Sequence, residues 1–233
     1  MNKPICAVVG VGPGNGAALA RKFADEGYAA ALLARSSGVS EQIASEFEDS
    51  RYFECDASRP ESVDRAFSQI AQEMGAVDAL VYNAGSGVWG SVEEIGIEDF
   101  EMSWRINALG ALAAAQNVIP SMKQKGAGDI VFIGATASLR GGAKTAAFAA
   151  AKAAQRSLAQ SMARQLWPQG IHVSLVIVDG MVDLPRTRKM MPDKPDEFFI
   201  KPDDLAASAF ALTIQPRSAW SFEVEARPFG ESW

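Results

Sequence analysis

Histidine occurs once in this 233-residue chain, cysteine only twice, and basic residues are fewer than acidic ones. Each shortage excludes something. A lone His172 and two separated thiols, Cys6 and Cys55, supply neither a metal-ligand motif nor a disulfide framework, so no metal is expected. Both cysteines sit in apolar, strand-like runs and read as reduced core residues. His172 falls inside a strand-like segment and reads as a satisfied core or edge residue rather than a proton shuttle. A formal charge of −6 gives no basic footprint for nucleic acid or an anionic membrane. The longest weakly polar stretch, NALGALAAAQNVIP, is too short and too broken to cross a bilayer. The opening MNKPICAVVGVG turns strand-like almost at once, so the expectation is a cytoplasmic protein without a signal peptide. Internal repeats, low-complexity tracts and linkers are missing too, which predicts a single domain over residues 1–233.

What the chain does have is alternation. ICAVVG, AAALLAR, SRYFEC, VDALVYNAG, DIVFIGA, IHVSLVIV and WSFEVEA read as seven strands. Between them lie the helix-like NGAALARKFADEG, VSEQIASEFED and PESVDRAFSQIAQEMG, then long runs over 98–125 and 144–167. Ser58, ahead of Pro60, offers an N-cap for the third helix. The strands are apolar almost throughout, the pattern of a parallel sheet covered on both faces. Strand–helix alternation therefore predicts an α/β, Rossmann-type doubly wound sheet. The proline-rich segment 183–203 predicts a loop or short helical flap, either a lid or a solvated connection. Trp89, Met190, Met191, Phe198 and Phe199 either line a pocket for a flat organic ligand or form a small apolar cluster or subunit contact.

In AVVGVGPGNGAALARKF, glycines stand at 10, 12, 14 and 16 between a strand and a helix. Glycine permits positive φ and close backbone approach, and a helix N-terminus offers unpaired N–H groups to a diphosphate. At the first strand-to-helix turn this predicts dinucleotide binding through Gly10, Gly14, Asn15 and Gly16. The second strand ends in LLARSS, with no acid to accept a ribose hydroxyl. Arg35, beside Ser36, can pair with a 2′-phosphate, which favours NADP(H) over NAD(H).

These motifs resemble those of the short-chain dehydrogenase/reductase family, and the resemblance runs over nearly the whole chain. Gly10-x-x-x-Gly14-x-Gly16 is similar to the family's glycine motif, and Cys55-Asp56 resembles its acid after the third strand, implying that Asp56 contacts adenine. Tyr82-Asn83-Ala84-Gly85 resembles its Asn-Asn-Ala-Gly motif. Asn107 stands where the family carries a helical Asn, and Lys152 matches the Lys of Tyr-x-x-x-Lys. Val178-Asp179-Gly180 stands where a Pro-Gly pair is usual, which implies that Gly180 lies beside the nicotinamide. The resemblance further implies strand order 3-2-1-4-5-6-7 and hydride transfer to a small-molecule substrate at the carboxyl ends of the strands. It also implies a homodimer or homotetramer, often assembled through the fourth and fifth helices.

The resemblance breaks at two hydroxyls. Phe148 occupies the position of the family's proton-donating Tyr, and Ala135, thirteen residues earlier, that of its Ser. A positioned general acid contributes about 10²–10⁴ in rate and one oxyanion-type donor roughly 10²–10³. The usual route of ketone reduction is therefore badly impaired, while the catalytic candidates Asn107 and Lys152 remain. Thr136, Ser138 and Thr145 are nearby hydroxyls able to donate a hydrogen bond but not a proton. Lys152 either gives a proton, its pKa lowered by burial beside a cationic nicotinamide, or binds the ribose hydroxyls. Asp179 and Asp183 act as a base or merely cap the flap, and Tyr82 points to the opposite face of the sheet as packing. Two readings follow: an oxidoreductase with a non-standard proton route, or a nucleotide-binding module that has lost turnover.

Overall fold

Strands this apolar must be covered on both sides, and they are. The structure, a computed structural model, describes residues 3–231. Its strands are β1 (Ile5–Val9), β2 (Ala29–Ala34), β3 (Arg51–Glu54), β4 (Ala79–Tyr82), β5 (Gly128–Ile133), β6 (Ile171–Val178), β7 (Met181–Val182), β8 (Phe199–Ile200) and β9 (Glu223–Ala226). One seven-stranded sheet runs β3-β2-β1-β4-β5-β6-β9, every ladder parallel. This is the expected order, with β9 as the seventh predicted strand. β7 and β8 pair separately, inside the flap.

The helices are α1 (Asn15–Asp25), α2 (Gly38–Glu46), α3 (Pro60–Glu73), α4 (Ile97–Trp104), α5 (Gly110–Lys125), α6 (Ala146–Leu166), α7 (Pro185–Met190) and α8 (Pro202–Thr213). Along β1, Ile5, Ala7 and Val9 face the core under α3, α5 and α6, while Cys6 and Val8 face the core under α1, α2 and α8. That is the two-residue period of a strand dividing its side chains between two layers. Cys6 and Cys55 are buried free thiols, and burial pushes the Cys55 thiol up to about 12.

Three local features depart from the expectation. The run 98–125 is not one α-helix: a π-turn, Arg105–Leu109, separates α4 from α5. Two of its carbonyls accept from side chains, Ile106 O from Tyr82 Oη at 2.5 Å and Asn107 O from Gln155 Nε2 at 3.0 Å. α8 was not anticipated, although Pro202 at its first turn followed by Asp203 and Asp204 is an N-terminal signature. Ser58 does not cap α3. Its hydroxyl donates to Asp56 Oδ1 instead, and Arg59 takes the N-cap position.

Candidate active site

Past the carboxyl ends of β1 to β4 lies a cavity of about 440 Å³. Its wall contains Gly10, Asn15 and Gly16 from the first turn, Arg35 and Ser36 after β2, Asp56 after β3, and Asn83, Ala84 and Gly85 after β4. Nine of the residues expected at a cofactor thus meet around one space. Gly14 lies beside it, under the side chain of Leu184 from the start of the flap, which also lines the cavity. Leu184 was not foreseen: nothing local marks a leucine in an irregular segment as a lid. Gly180 sits elsewhere, at the end of β6 against Pro228 and Glu231.

The glycines are needed where they stand. Gly10 has φ 92°, and a Cβ there would be 2.5 Å from the Ala84 amide nitrogen. A Cβ at Gly16 would collide with the Gly10 carbonyl oxygen. Asn83 Nδ2 donates to that same oxygen at 2.8 Å, tying the end of β4 to the glycine turn. Asp56 is held by the Ser58 backbone N–H at 3.0 Å and the Ser58 hydroxyl at 2.8 Å.

Lys152, expected at the cofactor, does not line this cavity and is only 4 % exposed. Its Nζ donates to the Ile133 carbonyl at 2.7 Å and to Gln155 Oε1 at 3.0 Å. Burial alone pushes its pKa down to about 7. Asn107 Nδ2 donates to the Ser103 carbonyl at 2.8 Å and to Ser86 Oγ at 3.3 Å. A Cβ placed on Gly85 would be 3.3 Å from Asn107 Oδ1 and 3.8 Å from Lys152 Nζ, so both groups back onto the cavity wall. Gln155, which joins Asn107 to Lys152, was missed in the sequence. Its one signal is a polar residue three places after Lys152, on the same helical face of an alanine-rich run.

Where the proton donor is expected there is an aromatic pair. The Phe148 and Trp89 rings lie 5.7 Å apart and are tilted by 34°. Gly90 N donating to the Lys144 carbonyl at 3.0 Å pins the two loops that carry this pair. The nearby hydroxyls are engaged locally. Ser138 Oγ accepts from the Ala135 N–H at 3.1 Å, Thr145 Oγ1 donates to the Gly142 carbonyl at 3.1 Å, and Thr136 Oγ1 donates to Asp179. Asp179 also pairs with Arg227. Asp183 is bound twice by Arg188, at 2.7 Å each, which holds its carboxyl below the usual range. His172 Nε2 lies 2.9 Å from the Ser221 carbonyl and its ring stacks on Trp220, far from this corner in the sheet. Tyr82 is fully buried with its hydroxyl on the π-turn. Of the flap residues, Phe199 is buried under the Arg188 guanidinium, Phe198 packs edge-on against it, and Met190 is exposed. Among the described residues no group of three metal-ligating side chains occurs.

Two buried acceptors at this site have no partner among the described residues: Asn15 Oδ1 and Asn107 Oδ1. Leaving a buried acceptor unpaired is costly. Together with a cradle that excludes a Cβ, these atoms fit a hydroxyl- and phosphate-bearing dinucleotide. Ligands of doubly wound sheets bind where strand order reverses, here between β1 and β4, which is where the cavity opens. The class is therefore a Rossmann-type dinucleotide-binding protein.

The comparisons are narrower. The short chain dehydrogenase family model matches residues 4–195, and the chain belongs to that family of oxidoreductases. It is similar to the 3-oxoacyl-acyl-carrier-protein reductase MabA of Mycobacterium avium, at 31 % identity over 183 residues, 78 % of this chain and 69 % of the relative. A solved short-chain dehydrogenase from Rhodopseudomonas palustris matches with TM-score 0.82 at 32 % identity, covering 97 % of this chain and 99 % of that one. An alcohol dehydrogenase from the archaeon Thermococcus sibiricus, complexed with 5-hydroxy-NADP, matches with TM-score 0.87 at 28 % identity, covering 98 % of both chains.

Proposed function

We propose that the protein is an NADP(H)-dependent oxidoreductase acting on a small organic substrate whose reduction needs no positioned phenol. The carrying observation is the burial of Lys152 and Asn107 against the cavity wall at Gly85, more than nucleotide binding alone requires. When bound, the reduced nicotinamide supplies a hydride. The chain's own groups do the rest. Backbone amides of the glycine turn and the first turn of α1 face the diphosphate, Arg35 and Ser36 take a 2′-phosphate, and Asp56 receives the adenine end. Lys152 binds ribose hydroxyls through its remaining N–H. With a pKa near 7, it also exchanges a proton near neutrality. The Phe148–Trp89 pair keeps the neighbouring surface apolar, which suits a conjugated iminium, enone or activated carbonyl. The 5-hydroxy-NADP complex of the Thermococcus relative supports the choice of coenzyme.

The absence of hydroxyls at Ala135 and Phe148 favours a second reading, a binder without turnover. Titrating NADPH fluorescence and then screening aldehydes, ketones, enones and imines for NADPH oxidation separates the two. Turnover of one class supports the enzyme; tight binding with no turnover of any class leaves the binder, and no binding of either coenzyme removes both. We also place the protein in the cytoplasm; among the described residues no helix is long and apolar enough to cross a membrane. The proposed assembly is a homodimer or homotetramer, supported by Ile97, Phe100 and Trp104, which share one exposed face of α4.

A further inference from the structure

We propose that Gln155 is the positioning residue of this site: its carboxamide bridges the Asn107 carbonyl and the Lys152 ammonium, and so fixes where Lys152 stands and how it holds its proton. The assignment rests on the nucleotide-binding reading above for its consequence, but on geometry for its substance. Gln155 is fully buried, and both ends of its amide are used. Nε2 donates at 3.0 Å to Asn107 O, a carbonyl of the π-turn, and Oε1 accepts at 3.0 Å from Lys152 Nζ. The orientation is unambiguous, because a carbonyl can only accept and an ammonium can only donate.

Three consequences follow. First, two of the three N–H groups of Lys152 are spent on fixed acceptors, Ile133 O and Gln155 Oε1. The one left over serves the Gly85 side, where the cavity lies. Second, burial lowers the Lys152 pKa, and no charged side chain offsets it. The neighbours around Asn107, Ser86 and Ser103, are neutral, and Asp179 is turned to Thr136 and Arg227. Among the described residues the Gln155 oxygen is the one side-chain acceptor bonded to Nζ. Third, a carboxamide has no readily titrated proton.

The test uses the full chain with carbon-13-labelled lysine. The Cε signal of Lys152, identified by its loss in Lys152→Met, is titrated without cofactor in the wild type, Gln155→Glu and Gln155→Leu. Replacing the amide oxygen by a carboxylate raises the Lys152 midpoint, and removing the acceptor lowers it, each by about one pH unit or more. The pH dependence of NADPH affinity moves in the same two directions. A residue that merely packs would leave both midpoints in place, and unchanged midpoints overturn the assignment. Gln155→Glu is nearly isosteric, so its titration decides the question if Gln155→Leu does not fold. Failure of the wild type to bind NADPH removes the proposed function and leaves the cofactor-free titration to judge Gln155.

Discussion

At the scale of single residues, the two positions where the family resemblance implies hydroxyls hold Ala135 and Phe148. Lys152 and Asn107 are buried next to Gly85 of the cavity wall and Gly10, Asn15 and Gly16 line the cavity, whereas the Phe148 ring packs against Trp89. Restoring both hydroxyls, Ala135→Ser with Phe148→Tyr, is expected to create or raise carbonyl reduction by about 10²-fold or more, read as NADPH oxidation with a ketone panel. The cradle makes the opposite prediction. Gly10→Ala has to put a Cβ against the Ala84 backbone from a left-handed conformation, so NADPH affinity should fall at least about tenfold and the melting temperature should drop. The glycine turn could be named from its spacing between a strand and a helix, and Asn107, Ala135, Phe148 and Lys152 from the family resemblance. The engagement of Thr136 with Asp179 was not legible, because forty-three residues separate partners that only the sheet brings together.

At the scale of elements, the decisive object is the π-turn between α4 and α5. Periodicity sees one helix over 98–125, because a single inserted turn barely disturbs the apolar pattern. Its contacts are long-range: Tyr82 from β4 and Gln155 from α6 donate to its carbonyls. Tyr82→Phe removes one of these bonds and strands the Ile106 carbonyl, which should cost about 1–3 kcal/mol by chemical denaturation. Gly110→Ala is a sharper test. On propensity alone it should stabilise α5 by about 1 kcal/mol. A Cβ there would collide with the Ala57 carbonyl and the Tyr82 hydroxyl, so the structure expects a net loss of stability instead.

At the scale of the whole molecule, the two ends of the sheet carry different chemistry. The carboxyl end holds the cavity; the amino end holds Asp129, at the start of β5, beside Asp78 and 3.8 Å from His172. Burial, reinforced by Asp78, raises the Asp129 pKa to about 7. A raised carboxyl pKa means the folded state binds the proton more tightly than the unfolded chain. Stability from this group is therefore lost as pH rises from about 4 to about 7, and its burial penalty is fully present above that. Asp129→Asn should raise the melting temperature at pH 8 by a few degrees, with the advantage gone by about pH 4, where both forms are neutral. Lys152 has the opposite sign: its lowered pKa costs stability below about 7 and recovers it toward higher pH. Assembly belongs to this scale too. If the exposed α4 face is an interface, Trp104→Glu should shift sedimentation toward monomer without changing NADPH affinity.

The sequence alone determined the strands, their parallel, doubly covered sheet and the glycine turn after β1, since these follow from local patterns, apolar runs and glycine spacing, while the strand order was implied by the family resemblance. Only the tertiary structure decided what each buried polar group is bound to. Gln155 on α6, the Asn107 carbonyl in the π-turn and Lys152 become one chain of hydrogen bonds because helices far apart in sequence pack on the same face of the sheet. Hydrogen bonding is short-ranged and directional, so partners of this kind are set by packing rather than by spacing along the chain.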